Sequence, residues 1–510
     1  MKRALVSVSN KTGLVDFVQG LVDCGYQIIS TGGTKKALDD AGIPTIAIDD
    51  VTHFPEMLDG RVKTLHPLIH GGLLGVRDKE SHVAQMKEHS IEPIDLVCVN
   101  LYPFKETISK PNFTHAEAIE NIDIGGPSMI RSAAKNHQFV TVVTDVSDYP
   151  TVIEEIKTHG DTTLETRQKL AAKAFRTTAA YDAMIQKYLT DKFEVENPEK
   201  VVYGFDLVQT LRYGENPHQS ASFYTDGSKM RYAMTTAKQL HGKELSYNNI
   251  QDANATLQIL KEFIGTPAVV AVKHMNPCGV AISDNITDAW KKAYAADPIS
   301  IFGGIVAFNE EVNIECATEM SQMFLEIILA PSFSKEAFEI LSQKKNIRLM
   351  TFETEGDDAK NKMVSVTGGL LVQGEDDYHE CVEDCKVVTN AQPTSEQITD
   401  SIFGMKIVKH VKSNAIVLVK DGHTIGIGAG QMNRVGAAKI ACEQAGEKAK
   451  DSVLASDAFF PMNDTVELAS EYGVACIIQP GGSIKDQDSI DKCNEKNIAM
   501  IVTGKRHFKH

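Results

Sequence analysis

The sequence lacks the features that mark membrane, secreted and nucleic-acid-binding proteins. No apolar run approaches the roughly 20 residues that cross a bilayer, and the chain runs into the strand-like segment 4–8 without a signal peptide. Nine cysteines, scattered through apolar segments, are typical of reduced thiols. A formal charge of −16 argues against a broad surface for nucleic acid or anionic lipid. The sequence therefore predicts a cytoplasmic protein that binds neither nucleic acid nor membranes.

Two familiar ligand-binding signatures are incomplete. The glycines of segment 426–430 do not fit the dinucleotide fingerprint, whose third glycine comes later and lies inside a βαβ unit. His379, Cys381 and Cys385 fall short of the usual zinc ligand set, and Cys278 has no second cysteine two residues on, as a zinc deaminase requires. We therefore expect neither a Rossmann site nor zinc, and we assign no metal ligands.

The chain is long enough for several domains. At 510 residues, with 42% apolar and 24% charged residues, it has the composition of a globular protein of two to four domains. The polar run 191–200 contains Asn-Pro and predicts a linker, and the acidic run 375–384 predicts a second boundary. The predicted divisions are 1–198, 199–385 and 386–510.

Two loops near the N-terminus have the pattern of anion-binding sites. Segments 9–12 and 31–34 each join a predicted strand to a predicted helix and consist of small or polar residues. Free backbone N–H groups at a helix N-terminus attract phosphate. One such loop is often only a tight turn, but two at the same end of a parallel sheet predict a phosphate pocket.

Three later segments carry polar side chains at the ends of apolar runs. Arg61 and Lys63 are two positions apart, so in an extended chain their side chains point to the same side. Tyr102 lies at the exit of the predicted strand 95–103, where a structural rim aromatic is the alternative interpretation. Asp123 precedes Ile-Gly-Gly-Pro and a helix predicted to begin near Ser128, with Pro127 near its first position.

The segment from Lys273 to Gly279 has the strongest chemical pattern. It follows the apolar run 267–272, which predicts a buried strand. We expect the turn at 277–279 to end this strand and to expose Lys273, His274 and Asn276, where α/β folds place their chemistry. The alternative is a basic strand end that only carries solvated charge. The tail from Arg506 to His510 is expected to be mobile and inert.

Motifs throughout the chain resemble those of one enzyme family. They are Ser-Thr-Gly-Gly-Thr at 30–34, Gly-Arg-Val-Lys-Thr-Leu-His-Pro at 60–67, Asn-Leu-Tyr-Pro-Phe at 100–104, Asp-Ile-Gly-Gly at 123–126, Ala-Ala-Lys-Asn-His at 133–137, Arg-Tyr-Gly-Glu-Asn-Pro-His-Gln at 212–219, Lys-His-Met-Asn-Pro-Cys-Gly at 273–279 and Ser-Asp-Ala-Phe-Phe-Pro at 456–461. In order and spacing the chain resembles the bifunctional phosphoribosylaminoimidazolecarboxamide (AICAR) formyltransferase/IMP cyclohydrolase family of purine biosynthesis.

The resemblance implies an α/β fold. Its N-terminal domain would be a methylglyoxal-synthase-like parallel-sheet domain, followed by a transformylase region of two cytidine-deaminase-like subdomains. It implies formyl transfer from 10-formyltetrahydrofolate to AICAR, giving FAICAR, and dehydrative ring closure of FAICAR to IMP. It also implies a homodimer whose transformylase site spans the interface. A potassium ion is compatible with the resemblance, although no motif indicates one.

The resemblance also implies site residues. Those with a catalytic role would be Lys63, Tyr102, Asp123 and Lys135 in the cyclohydrolase and Lys273 and His274 in the transformylase. Glu326 stands where relatives carry Asp, and no ribose contact is assigned to it. The substrate-binding residues would be Ser9, Lys11, Ser30, Gly32, Gly33, Thr34, Arg61, Thr64, Gly125 and Gly126 in the first site, and Arg212, Tyr213, Asn414, Gln431, Arg434, Phe460, Asp464 and Arg506 in the second.

Two other functions are compatible with the same folds. A non-catalytic sensor of purine ribotides would need the anion loops but not Lys273, His274 or Asp123. A methylglyoxal-synthase-type lyase fused to an inactive partner would leave folate without a role. Formyl transfer assayed with ribotide and formylfolate distinguishes the three.

Overall fold

The chain forms two compact units. The structure, a computed structural model, describes residues 1–510, the side chain of Asp59 excepted. The units are Met1–Phe205 and Asp206–His510. Among the described residues, no helix is both long and apolar enough to span a membrane.

The first unit is a parallel sheet covered by helices. Its strands lie in the order β3-β2-β1-β4-β5 and all four pairings are parallel. The strands are β1 Lys2–Val8, β2 Tyr26–Ser30, β3 Thr45–Ala47, β4 Leu96–Asn100 and β5 Thr141–Val143. The helices are α1 Leu14–Asp23, α2 Gly32–Asp40, α3 Ile48–Thr52, α4 Pro67–Leu74, α5 Glu80–Glu88, α6 Phe104–Ile108, α7 His115–Glu120, α8 Gly125–Lys135, α9 Tyr149–His159 and α10 Leu164–Lys192, with 3-10 turns at Leu58–Gly60 and Val146–Asp148.

The apolar spacing of Leu170, Ala174, Thr178, Tyr181 and Ile185 predicts a helix, and α10 buries the first four of these residues. Two helix starts differ from the sequence-based predictions, which place the cap of α1 at residues 9–12 and the start of α8 near Ser128. Residues 9–12 do not cap α1, because Gly13 is the N-cap, with φ of 64°, and no side chain caps it. Helix α8 begins at Gly125 and not near Ser128, so Pro127 is its third residue. The Gly126 N–H donates to Asp123 Oδ1 at 2.8 Å, which satisfies a free N–H of the first turn.

The second unit is built on one sheet of twelve strands and two separate hairpins. The strands are β6 Asp206–Leu211, β7 Ala221–Thr225, β8 Lys238–His241, β9 Ala268–Lys273, β10 Asn276–Ile282, β11 Ile305–Phe308, β12 Ile327–Ala330, β13 Arg348–Thr351, β14 Asn361–Val366, β15 Gly369–Gly374, β16 Lys386–Val387, β17 Ile416–Lys420, β18 His423–Gly428, β19 Val453–Ser456, β20 Cys476–Gln479 and β21 Ala499–Val502. The helices are α11 Tyr247–Leu260, α12 Ile286–Ala296, α13 Ile314–Met320, α14 Lys335–Leu341, α15 Ser395–Val408, α16 Arg434–Ala445, α17 Asp464–Glu471 and α18 Asp486–Lys496, with 3-10 turns at Lys261–Phe263, Val382–Asp384 and Gly446–Ala449.

The large sheet consists of two halves with the same strand arrangement. Its order is β16-β21-β20-β19-β17-β18-β10-β9-β11-β12-β13-β8. Each half has a helix, a hairpin and three parallel strands connected by helices, with one antiparallel strand at the outer edge. The halves meet where β10 pairs with β18, and the Ile282 N–H donates to the Gly422 carbonyl at 2.9 Å. Two structural repeats within one chain therefore share one continuous sheet.

The turn predicted at 277–279 is in fact at His274–Met275. Strand β9 ends at Lys273, and β10 already begins at Asn276 and pairs with β9 as its antiparallel neighbour. Pro277 is tolerated in this strand because the register shifts between Pro277 and Gly279. Helix α11 begins at Tyr247 and is capped by Ser246, which is earlier than the start near Ala253 that the polar run 246–252 predicts.

Gly279 is needed for close packing and not for a turn. A Cβ atom built on Gly279 would overlap the backbone carbonyl oxygen of Ala293 in α12. Strand β10 therefore lies against α12 at a distance that only glycine allows. Gly428 in β18 has the same relation to Ala437 in α16, in the second half of the sheet.

We expect Gly279→Ala to destabilise the second unit by about 1–3 kcal/mol or more, because the methyl group must push strand and helix apart. Gly374→Ala is the matched control, since no atom lies within 4 Å of its added Cβ. Chemical denaturation of both variants measures the difference. Equal stability of the two variants would contradict this account of the packing.

Candidate active sites

The first unit contains a cavity of about 530 Å³ at the carboxyl ends of its strands. It brings together most of the N-terminal residues that the sequence singled out. Ser30 is fully buried beneath it, and its hydroxyl donates to the Val6 carbonyl at 2.9 Å. The lining includes Ser9, Lys11, Gly32, Gly33, Thr34, Arg61, Lys63, Thr64, Tyr102, Asp123, Gly125 and Gly126.

Cations and backbone N–H groups converge on one side of this cavity. A Cβ built on Gly32, whose φ is 41°, would lie 3.1 Å from Lys63 Nζ, so the ammonium reaches the start of α2. Lys63 also lies 3.6 Å from Glu56 Oε2, and Arg61 pairs with Glu120. Helix N-termini and cations together bind anions, so the geometry suits a phosphate group.

Asp123 and Tyr102 also line the cavity. Burial raises the pKa of Asp123, and the N–H of Gly126 offsets part of this effect. Burial and then the charge of Asp123 raise the pKa of Tyr102, whose side chain remains 45% exposed. The phenol of Tyr181 accepts the Asp123 N–H at 2.9 Å and fixes the backbone beneath. A carboxyl group with a raised pKa, facing a cavity, is suited to proton transfer.

Lys135 does not lie in this cavity. It is the last residue of α8, whose first residue lines the cavity, so the two ends are about 15 Å apart at 1.5 Å per residue. Lys135 instead lines a shallow groove with Arg131, His137 and Phe175. The resemblance grouped Lys135 with Asp123, and within one chain the structure separates them.

A second cluster surrounds the β9–β10 turn in the second unit. Lys273 Nζ donates to the Phe302 carbonyl at 2.8 Å, and His274 is exposed on the turn. Asn276 Nδ2 donates to the His274 carbonyl at 3.1 Å, while Asn276 Oδ1 accepts the Lys412 N–H at 3.1 Å. Asn276 therefore joins the turn to the segment that precedes β17 in the other half.

A buried ion pair supports the residues beyond Lys412. Arg434 is 4% exposed and bonds to Asp457, which is fully buried. The same guanidinium donates to Asn414 Oδ1 at 2.7 Å, and the Asn414 side-chain amide donates to the Gln431 carbonyl at 2.8 Å. Arg434 thus fixes Asn414 directly and Gln431 through Asn414, and it has little exposed surface of its own for a ligand.

The C-terminal tail is ordered against this cluster, so the expectation that it is mobile is wrong. The Ser413 N–H donates to the Lys509 carbonyl at 2.9 Å, and the His507 N–H donates to the Asp457 carbonyl at 2.9 Å. Burial lowers the pKa of His507, but its bonds to Asp376 and Glu380 outweigh this effect and raise it to about 9. Arg506 is exposed, with its guanidinium 4.5 Å from the Phe508 ring centre.

The other implied residues are not gathered around the β9–β10 turn by any described contact. Phe460 is fully buried in a hydrophobic core, which does not suit a ligand contact. Asp464 accepts the Thr465 N–H at the start of α17. Arg212 stacks on Tyr213 in the loop after β6, with 5.6 Å to the ring centre. Glu326 pairs with the buried Arg348 at 2.8 Å, so its carboxylate already has a structural partner.

The sequence reasoning missed three residues that organise this cluster. Asp457 lies within the quoted motif 456–461 but was not assigned a role. Lys412 precedes a predicted strand without any motif, and Asp252 lies inside a helix. Among the described residues, no group of three or more His, Cys, Asp or Glu side chains could hold a metal ion.

Comparison with known proteins places this chain in a family. A family model described as AICARFT/IMPCHase bienzyme matches residues 133–444, and an MGS-like domain model matches residues 13–128. The bifunctional purine biosynthesis protein PurH of Lysinibacillus sphaericus is 63% identical over the full length of both chains, and that of Anoxybacillus flavithermus is 61% identical over the full length of both chains. The chain belongs to the AICARFT/IMPCHase bienzyme family.

The chain also matches a crystal structure of ForH at 37% identity. The match covers 37% of this chain and 97% of that chain, with a TM-score of 0.35.

Family membership makes the chain a bifunctional enzyme of de novo purine biosynthesis, with AICAR formyltransferase and IMP cyclohydrolase activities. Its substrates are small molecules, and the formyltransferase implies a folate-type formyl donor. The predicted fold class, with an MGS-like domain first, is confirmed.

We expect Asp123→Asn to lower cyclisation of FAICAR by roughly 10²-fold or more, the range for a lost acid–base group, while formyl transfer is unchanged. The Asn oxygen can still accept the Gly126 N–H, and the substitution removes a carboxyl group whose ionised form is disfavoured by burial. The melting temperature should therefore not fall. In the pH–rate profile of cyclisation by the native enzyme, an acidic limb due to Asp123 should lie above the ordinary pKa range of Asp, because burial raises the pKa of this residue. A fall in stability that parallels the loss of rate would instead make Asp123 structural.

Proposed function

We propose that the two activities are divided between the two units. The cavity of the first unit closes the ring of FAICAR, and the cluster around the β9–β10 turn of the second unit transfers the formyl group. The observation that carries this proposal is the separation of the two residue clusters into different compact units. The second activity would use both halves of the large sheet, 199–385 and 386–510, in a cytoplasmic enzyme.

In the proposed formyl transfer, the donor is 10-formyltetrahydrofolate. The 5-amino nitrogen of AICAR attacks the formyl carbon, and its proton passes to His274, which is exposed on the turn. Lys273 stabilises the oxyanion that develops on the formyl oxygen. The C–N bond to the folate then breaks, and the folate nitrogen takes up a proton. FAICAR and tetrahydrofolate are the products.

In the proposed ring closure, the carboxamide nitrogen of FAICAR attacks its formyl carbon. The attacking nitrogen loses a proton and the formyl oxygen takes one up, which gives a hydroxyl group. The formamido nitrogen then loses its proton, the hydroxyl takes up a second proton, and the C–O bond breaks, so that water leaves and the C=N bond of IMP forms. Lys63, at the start of α2, would stabilise the oxyanion. Asp123 and Tyr102, which also line the cavity, would move the protons. The phosphate would lie against the backbone N–H groups of 32–34.

We propose the same ligand contacts for the remaining residues as the resemblance implies, except at three buried positions. Ser30, Arg434 and Phe460 would act by supporting the sites, because all three are buried. No residues are assigned to a potassium ion. The residues that would contact substrate are Ser9, Lys11, Thr34, Arg61, Thr64, Gly125 and Gly126 in the first site, and Arg212, Tyr213, Asn414, Gln431, Asp464 and Arg506 in the second.

We further propose a homodimer. Two antiparallel hairpins, β6–β7 and β14–β15, lie outside the large sheet. Leu207, Val208 and Tyr224 are at least half exposed on the first hairpin, and Leu371 is 60% exposed on the second. Isolated hairpins with exposed apolar side chains are marginally stable in water. We propose that a second copy of the chain covers these hairpins. Arg212 and Tyr213, in the loop of the first hairpin, would then lie at the interface and belong to the formyl-transfer site.

The test of the division is His274→Ala. We expect it to lower the kcat of formyl transfer by roughly 10²-fold or more, as for a lost general base, with a smaller change in the KM for ribotide. Cyclisation of supplied FAICAR should be unchanged. A variant with normal formyl transfer, or one that loses both activities together, would refute the assignment.

Lys135 tests the homodimer. Because Lys135 does not line the cavity of its own chain, we infer that a role in ring closure requires a second copy. We expect Lys135→Gln and Lys63→Gln to be inactive in cyclisation when each is assembled alone. When mixed subunits exchange, dimers with one intact pair should recover up to about a quarter of native activity, on simple counting of random pairs in a mixture. Full cyclisation by Lys135→Gln alone would make Lys135 a structural residue. The melting temperature of the variant should then fall, because it loses the stabilisation that a cation provides at a helix C-terminus.

A further inference from the structure

The β9–β10 turn has an unusual backbone. His274 and Met275 have φ values of 53° and 62°, so two consecutive non-glycine residues adopt the left-handed conformation. Two-residue hairpin turns of this kind usually contain Asn, Asp or Gly, because a Cβ atom disfavours positive φ. Such a turn therefore persists only where the surrounding structure holds it.

Asp252 supplies this support. It is the sixth residue of α11, and its Oδ1 accepts the Met275 N–H at 2.8 Å. Burial raises the pKa of Asp252, and hydrogen bonds from the backbone N–H groups of Met275 and His274 offset part of this rise. The carboxylate thus holds the backbone of the residue that carries the exposed imidazole and of its neighbour.

The second half of the sheet contains the same arrangement without a histidine. Asp400 is the sixth residue of α15, and its two carboxylate oxygens accept the Asp421 N–H at 2.9 Å and the Gly422 N–H at 2.8 Å. Those residues form the turn of the β17–β18 hairpin, with φ values of 51° and 72°. Here the glycine adopts the left-handed conformation without a Cβ penalty.

We propose that Asp252 is a positioning residue of formyl transfer, which fixes the backbone of the His274–Met275 turn and with it the location of the His274 imidazole. This inference rests on the proposed function of His274. Asp252 does not contact the substrate in the proposal; it acts through the turn. Asp400 has the same relation to a turn that carries no proposed catalytic residue, so it provides a matched control within the same chain.

The experiment compares Asp252→Ala with Asp400→Ala in the full-length enzyme. We expect Asp252→Ala to lower the kcat of formyl transfer by about 10-fold to 10²-fold, the scale of effects from a misplaced catalytic group. The KM for ribotide should change less, and cyclisation of FAICAR should be unchanged. Asp400→Ala should lower the melting temperature by a similar or larger amount and leave the kcat of formyl transfer within about twofold, since its turn carries no reacting group.

Two further variants separate positioning from general stability. Asp252→Asn keeps an oxygen that can accept the Met275 N–H, so it should retain most of the kcat. Met275→Gly removes the Cβ penalty and reproduces the glycine found at the equivalent turn position, so Asp252→Ala combined with Met275→Gly should recover at least several-fold of the lost kcat. This recovery is not expected if Asp252 acts only on the overall stability of the unit.

The outcomes are distinguishable from those that test the proposed function. If His274→Ala leaves formyl transfer intact, the proposed function is wrong and the role of Asp252 falls with it. If His274→Ala is inactive but Asp252→Ala has native kcat, or loses no more than Asp400→Ala, the inference about Asp252 alone is overturned. Failure of the Asp252→Ala and Met275→Gly double variant to recover any kcat also overturns it.

Discussion

The pairing of β10 with β18 is the contact on which the second unit depends. It joins two repeated halves edge to edge and makes one sheet of twelve strands. Because both strands belong to hairpins, the pairing also brings the residues that follow β9 near those that precede β17. The bond from the Lys412 N–H to Asn276 records this proximity. A site that uses both halves therefore follows from the way in which the sheet is joined.

Beneath that junction, the pair Arg434–Asp457 holds the second half of the cluster. Both side chains are almost completely buried, so removing one would leave an uncompensated charge, at a cost of about 3–5 kcal/mol. A hydrophobic pair could be equally stable, but it could not donate to Asn414 or accept the Ser413 hydroxyl and the Ala415 N–H. The charge pair thus serves to orient neighbouring groups.

The sequence predicted the local elements better than the contacts between them. Apolar periodicity correctly indicated the parallel strands of the first unit and the buried face of α10, since burial determines both patterns. Resemblance located most of the residues that line the first cavity. The position of Lys135 was not predictable in this way, because a shared motif says nothing about which end of a helix faces the cavity. The ordered tail depends on contacts with residues about a hundred positions away, which no local pattern contains.

The turn at His274 shows most directly why local rules failed. Proline and glycine at 277–279 are typical turn residues, whereas His-Met has no preference for the left-handed conformation. The chain nevertheless turns at His-Met, because a carboxylate from α11 satisfies the turn and because Gly279 is required against α12. Both constraints come from other elements, the helices that precede and follow the hairpin in the chain. Tertiary contacts therefore hold the exposed histidine in a conformation that its own residue type disfavours, and a conformation of this kind is typical of functional sites.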